Sequence, residues 1–110
     1  MRTLMGFAIA GMAVMLLSAP AWAGNKHVDE AIHHAKEAIE HGKAGHADVA
    51  LKHAEGALEH AKGAQKDVKS PHLDEGVKHL EEAVSHGKQG HADAIVKHAE
   101  SAVMHLSEVK

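Results

Sequence analysis

The chain has no cysteine and no tyrosine, and its one tryptophan and one phenylalanine, Trp22 and Phe7, both fall within the first 23 of its 110 residues. Without cysteine there is no disulfide to staple a small exported domain, no thiolate for a soft metal ion, and no C-x-x-C-H for attaching haem. Without aromatics past Trp22, a core must be built from Ala, Val, Ile and Leu, and a domain this small buries enough of them for only marginal stability. No segment alternates polar and apolar residues as a strand does. A basic patch is missing as well. Asp and Glu number 15 against 12 Lys and Arg, and the formal charge is −3 with neutral histidines. The two signs are interspersed, which argues against nucleic acid as a partner.

Residues 1–23 are a different kind of polymer from the rest. Arg2 is followed by an apolar stretch, Leu4 to Leu17, then Ser18-Ala-Pro and the small-x-small site Ala21-Trp22-Ala23. This order predicts a secretory signal peptide cut before Gly24 and an exported, periplasmic product. The apolar run is shorter than the ~20 residues of a spanning helix, so no membrane contact is expected after cleavage.

What the remaining chain, 24–110, has in abundance is histidine. It falls at 27, 34 and 41, at 46, 53 and 60, at 72, 79 and 86, and at 91, 98 and 105; only His33, of 13 histidines, breaks the seven-residue rule. Seven residues make two helical turns, so each run stacks its imidazoles along one side of a helix, ~10.5 Å apart. The segment from His27 overlays that from His72 without a gap, and about half the positions are identical. The overlay marks an internal duplication, with repeats at 27–62 and 72–107.

After each His, apolar or small residues take the second, fifth and sixth places of the heptad, as in Val28, Ala31, Ile32 and Leu73, Gly76, Val77. That is the amphipathic helix pattern. It predicts helices over 27–41, 46–62, 71–86 and 91–107. Asn25 and Ser70 stand as N-caps, with Pro71 at a first turn, and Gly42 and Gly87 stand where a left-handed residue would end a helix. The turns GKAG (42–45) and GKQG (87–90) make two antiparallel hairpins, joined by the more polar connector 62–70. The fold class expected is all-α: an up-down antiparallel four-helix bundle built from two duplicated helical hairpins, preceded by the signal peptide. Gly56 and Gly76 lie inside helices at a cost of ~1 kcal/mol each. Close packing against alanines is the expected reason at Gly76.

With the apolar places labelled a, d and e, every row histidine is g, at the border of core and water. If each hairpin closes on its g side, the turn pairs His41 with His46, His34 with His53, and His27 with His60. The second hairpin then pairs His86 with His91, His79 with His98, and His72 with His105. Packing on the e side would instead send the rows to opposite edges. Since e is apolar and belongs inside, the g seam is favoured. Glu30 and Glu37, and Glu75 and Glu82, lie three residues after one His and four before the next, so helices one and three carry His-Glu-His ladders. Helices two and four have Val49, Gly56, Ala94 and Ser101 at those places.

Neutral imidazole is the commonest ligand for divalent transition metals, and carboxylate adds charge and harder donors. The candidate ligands are thus the twelve row histidines with Glu30, Glu37, Glu75 and Glu82. Nitrogen and oxygen donors without thiolate suit Cu(II), Ni(II) or Zn(II), with Cu(II) first in the general affinity order. Several open sites imply capacity more than selectivity. A competing reading is a pH-responsive structural or chaperone-like helical protein, in which charging the facing rows drives the helices apart. An enzyme is not expected. Glu30-Ala-Ile-His33 spells E-x-x-H once, where a di-iron bundle needs two copies and two further Glu.

The leader, the duplicated H-x-D-E (27–30, 72–75) and HGK-x-GH (41–46, 86–91) motifs, and the heptads across 27–107 resemble the small metal-binding protein family of bacterial periplasms. The resemblance implies a monomeric periplasmic four-helix bundle that takes several Cu(II) ions, accepts other divalent metals and serves in copper handling or detoxification. Only the histidines carry over residue by residue; carboxylate ligands do not follow for helices two and four.

Overall fold

The computed structural model describes residues 25–110, so the expected leader and its cleavage before Gly24 lie outside the described residues. Four helices follow one another: α1 (Lys26–Lys43), α2 (Ala47–Gln65), α3 (Pro71–Lys88) and α4 (Ala92–Ser107). Each packs against its neighbours in chain order and α4 closes on α1, giving the expected up-down four-helix bundle; α2 and α4 also touch across the diagonal. None of the described helices is long and apolar enough to cross a membrane.

The helix starts follow local chemistry. The Asn25 side chain accepts from the His27 and Val28 amides at 2.7 and 3.3 Å. Ser70 Oγ accepts from the Leu73 amide at 3.3 Å, and Pro71 opens α3. Each satisfies an amide that the helix leaves without a partner. α2 runs to Gln65, beyond the expected boundary, and its last residue donates from Nε2 to Asp74 Oδ1 at 3.0 Å, which ties the connector to α3.

The helix ends differ from the sequence reading. Gly42 and Gly87 are not left-handed caps. They lie within the last turns of α1 and α3, buried, and the positive φ values belong to Gly45 (83°) and Gly90 (80°). The His46 amide donates to the His41 carbonyl at 2.9 Å and the Gly45 amide to Gly42 at 3.0 Å; His91 to His86 and Gly90 to Gly87 repeat this at 3.1 and 2.9 Å. This is the Schellman ending, in which a left-handed glycine lets two amides reach back to the last carbonyls. Gly42 and Gly87 serve packing instead. A Cβ at Gly42 would lie 2.6 Å from Val96 Cγ2, and one at Gly87 would lie 2.9 Å from Leu51 Cδ1. The e-position residues Leu51 and Val96 thus reach across to the other hairpin, as the apolar character of e implies.

Positions a and d form the buried stripe, and most e residues are half-buried at its flank. Among the described residues no polar or charged residue is buried as a whole, although single ring atoms of the row histidines are. Gly76 is indeed a close-packing glycine, but the space is taken by Leu106, with Cδ2 2.8 Å from a built Cβ, rather than by alanines.

Candidate metal centre

With a and d turned inward, g falls at the edge between the paired helices of each hairpin. Both hairpins close on that edge. The rows of α1 and α2 face each other along one seam and the rows of α3 and α4 along another, so the g-side arrangement holds. The turn fixes their near ends. In a Schellman ending the residues joined by the long hydrogen bond also bring their side chains together, usually as an apolar contact. In HGK-x-GH those residues are histidines, and the His41–His46 and His86–His91 ring centroids lie 6.3 and 5.9 Å apart.

The straight-across pairs are neighbours: His27–His60 at 5.5 Å, His34–His53 at 5.9 Å, His72–His105 at 5.5 Å and His79–His98 at 5.9 Å. The diagonal pairs are as close or closer, and nearly parallel: His34–His60 at 5.4 Å, His41–His53 at 5.3 Å, His79–His105 at 5.5 Å and His86–His98 at 5.3 Å. The two rows interdigitate. A helical wheel gives a residue's angle around the axis but not the stagger between helices, so this was not visible beforehand.

The carboxylates pick out the diagonal. Four groups place one donor atom from each of three residues within 4.8 Å of one another: Glu30, His34 and His60; Glu37, His41 and His53; Glu75, His79 and His105; Glu82, His86 and His98. His34 and His53, expected to share one site, therefore belong to different groups. Donors on one ion at about 2.0–2.2 Å each lie at most ~4.4 Å apart. The widest separation allowed in these groups, 4.8 Å, exceeds that by only ~0.4 Å, within reach of side-chain rotation. The Nδ1 atoms of His34, His79 and His86 are buried without a hydrogen-bond partner. A buried polar atom left in that state calls for a reason, and a cation between the rows supplies one.

Three of the four Glu–His–His groups include a histidine with an orphaned Nδ1. Burial holds the His34 imidazole below its ordinary pKa of 6.5, with the charges of His60, His53 and His33 acting the same way and Glu30 opposing them. His98 is lowered by burial too; Glu82 opposes the shift, and His86, His79 and Lys97 add to it. Lowering keeps these rings neutral, the form that binds metal. The His41 and Glu37 side chains also lie in ion-pair range, with Nε2 and Oε1 3.8 Å apart.

His27, His46, His72 and His91 end the rows, stay exposed and stand outside the three-donor groups. His33 is exposed off the row, with its ring edge-on to His34 at 5.8 Å. Two glycines missed as site residues lie beneath the first seam. A Cβ at Gly56 would touch the His34 ring at 3.4 Å and one at Gly63 would touch His27 at 3.4 Å. The only hint in the sequence was that glycine stands at 56, where α1 carries its ladder glutamate.

A bundle with two edge seams of interdigitated imidazoles, each flanked by carboxylates, is a histidine-rich metal-binding protein of the helical class. The family model for small metal-binding proteins matches residues 1–109, and the chain belongs to that family. No curated protein matches the sequence.

Proposed function

We propose that the protein is exported, loses its leader before Gly24, and works in the periplasm as a monomeric buffer, scavenger or detoxifier of divalent transition metals. The metal-binding domain is 24–110, with its two seams in the repeats 27–62 and 72–107. The twelve row histidines with Glu30, Glu37, Glu75 and Glu82 are the ligands. Cu(II) is the preferred ion, with Ni(II) and Zn(II) accepted, because imidazole and carboxylate donors without thiolate follow the general affinity order. The observation that carries this reading is the recurrence of one Glu–His–His group four times along two seams. Repetition of an open, partly exposed group supports capacity over selectivity.

The experiment is a calorimetric titration of the metal-free mature chain with Cu(II), Ni(II) and Zn(II), paired with thermal melting. An ion that binds only the folded state stabilises it by ~2.7 kcal/mol per site at a hundred times Kd. Tight, multiple Cu(II) binding with a raised midpoint is expected. An unchanged midpoint with excess Cu(II) at pH 7.5 rules out specific folded-state sites, and a stronger preference for Zn(II) overturns the copper assignment.

A further inference from the structure

Each seam holds more donors than its three-donor groups use. On the first, Glu30/His34/His60 and Glu37/His41/His53 leave out His27 and His46, both exposed. Yet His27 Nδ1 lies 3.3 Å from His60 Nδ1, one ring nitrogen donating to the other. Two nitrogens bound to one ion at about 2.0–2.1 Å each span that separation without moving. His60 thus belongs to two candidate sites at once. The second seam repeats the conflict, with His72 Nδ1 3.2 Å from the Nδ1 of His105, which also belongs with Glu75 and His79.

The conflict runs the whole length of the seam because the rings form an unbroken file. From His27 through His60, His34, His53 and His41 to His46, successive centroids are 5.5, 5.4, 5.9, 5.3 and 6.3 Å apart. No step is long enough to wall one site off from the next. The file can be divided in two ways. Divided diagonally, it yields two groups that each include a carboxylate and strands the end rings. Divided straight across, it yields three two-imidazole pairs that share no ring.

We propose that metal loading switches each seam between these two registers. The first two ions occupy the diagonal three-donor groups, and a third enters only when the seam re-pairs straight across, drawing in the exposed end histidines. This rests on the reading that the seams bind metal. The extra anionic donor decides the outcome while ions are scarce, since an additional carboxylate ligand strengthens each diagonal site. Mass action decides it when ions are abundant, because the register with more places gains a further binding term. The change needs no opening of the bundle. An ion held by His34 and His60 becomes one held by His34 and His53 by exchanging a single imidazole while the other stays bound.

The test is a Zn(II) titration of the metal-free chain. Imidazole resonances are followed by NMR and stoichiometry by calorimetry, on the wild type and on a His27→Ala/His46→Ala variant. The His72→Ala/His91→Ala variant serves as the mirror case. In the wild type, the His27 and His46 signals should stay still until two equivalents per seam are bound, then move together with a second shift of His34 and His53. The end-histidine variants should keep the early equivalents and lose the last one on their own seam only. Response of His27 and His46 from the first equivalents, or a loss of about tenfold or more in early affinity in the end variants, overturns the switch. A His34→Ala/His53→Ala variant separates the two ideas, because it breaks both diagonal groups of its seam. Wild-type binding by that variant sinks the seam reading itself; lost binding there with early end-ring shifts sinks the switch alone. The end rings are exposed, so circular dichroism of their variants should match the wild type.

Discussion

In the α1–α2 hairpin the core positions are almost all alanine, with Val28 the largest side chain. In the α3–α4 hairpin the largest fully buried side chains of the bundle, Leu73, Leu80, Ile95 and Leu106, take the equivalent places. Leu80 stands where the first repeat has Ala35, Ile95 where it has Ala50, and Leu106 where it has Ala61. Two identical copies would either overfill the bundle or leave it hollow, since interiors tolerate little misfit in volume. The duplicated hairpins have diverged inward into a filler and a receiver. Along the seams they have stayed alike, with ring spacings that agree to within about half an ångström. One difference remains there: Glu30 and Glu37 are half-buried, whereas Glu75 and Glu82 are exposed. Core packing and the histidine rows therefore occupy separate faces of the same helices.

The sharpest way to break this comparison is to swap sizes in the core. Leu80→Ala should cost ~2–5 kcal/mol, as truncation of a fully buried leucine does. The reciprocal Ala35→Leu should cost ~1–3 kcal/mol by overpacking. Denaturant unfolding measures both, and equal, small effects would show that the hairpins share the core evenly. The row histidines lie off this face, so metal stoichiometry of the folded variants should not change.

A second contrast lies in the glycines. Gly76→Ala would put a methyl within 2.8 Å of Leu106 and should destabilise, even though alanine is the better helix former. Gly56→Ala meets the His34 ring at 3.4 Å, an ordinary contact. There the helix propensity gain of up to ~1 kcal/mol should show as added stability. Thermal melts of the two variants should move in opposite directions.

These glycines also show where the sequence stops being legible. Asn25, Ser70 and the heptads act through the chain a few residues away, so caps, helices and rows could be read without coordinates. Gly42 and Gly87 could not. A glycine near a helix end reads alike whether it turns left-handed or admits a side chain from another hairpin, and only Val96 and Leu51 decide. The Glu–His–His groups were half legible for a similar reason. The spacing gave the members, while the stagger of α1 against α2 chose the partners.

The smallest expected effect is on pH. His34 and His98 both have folded-state pKa values below the ordinary 6.5. Above 6.5 the rings are neutral in folded and unfolded chains alike and cost nothing. Below it the unfolded chain takes up protons first, so stability of the metal-free protein falls with pH until the folded rings protonate too. Replacing either residue with Gln should flatten the dependence of the melting midpoint on pH below 6.5. An unchanged slope would mean that neither ring is linked to unfolding. The two sit in different hairpins at non-equivalent places of the repeat, so their contributions should add.

The seven-residue pitch of the rows has a consequence for size. Because the turn sets where the file of rings begins and each heptad extends it by one ring per helix, inserting a heptad into both arms of a hairpin adds two imidazoles without altering any existing pair. The number of candidate Glu–His–His groups is then set by the length of the rod, on an unchanged cross-section.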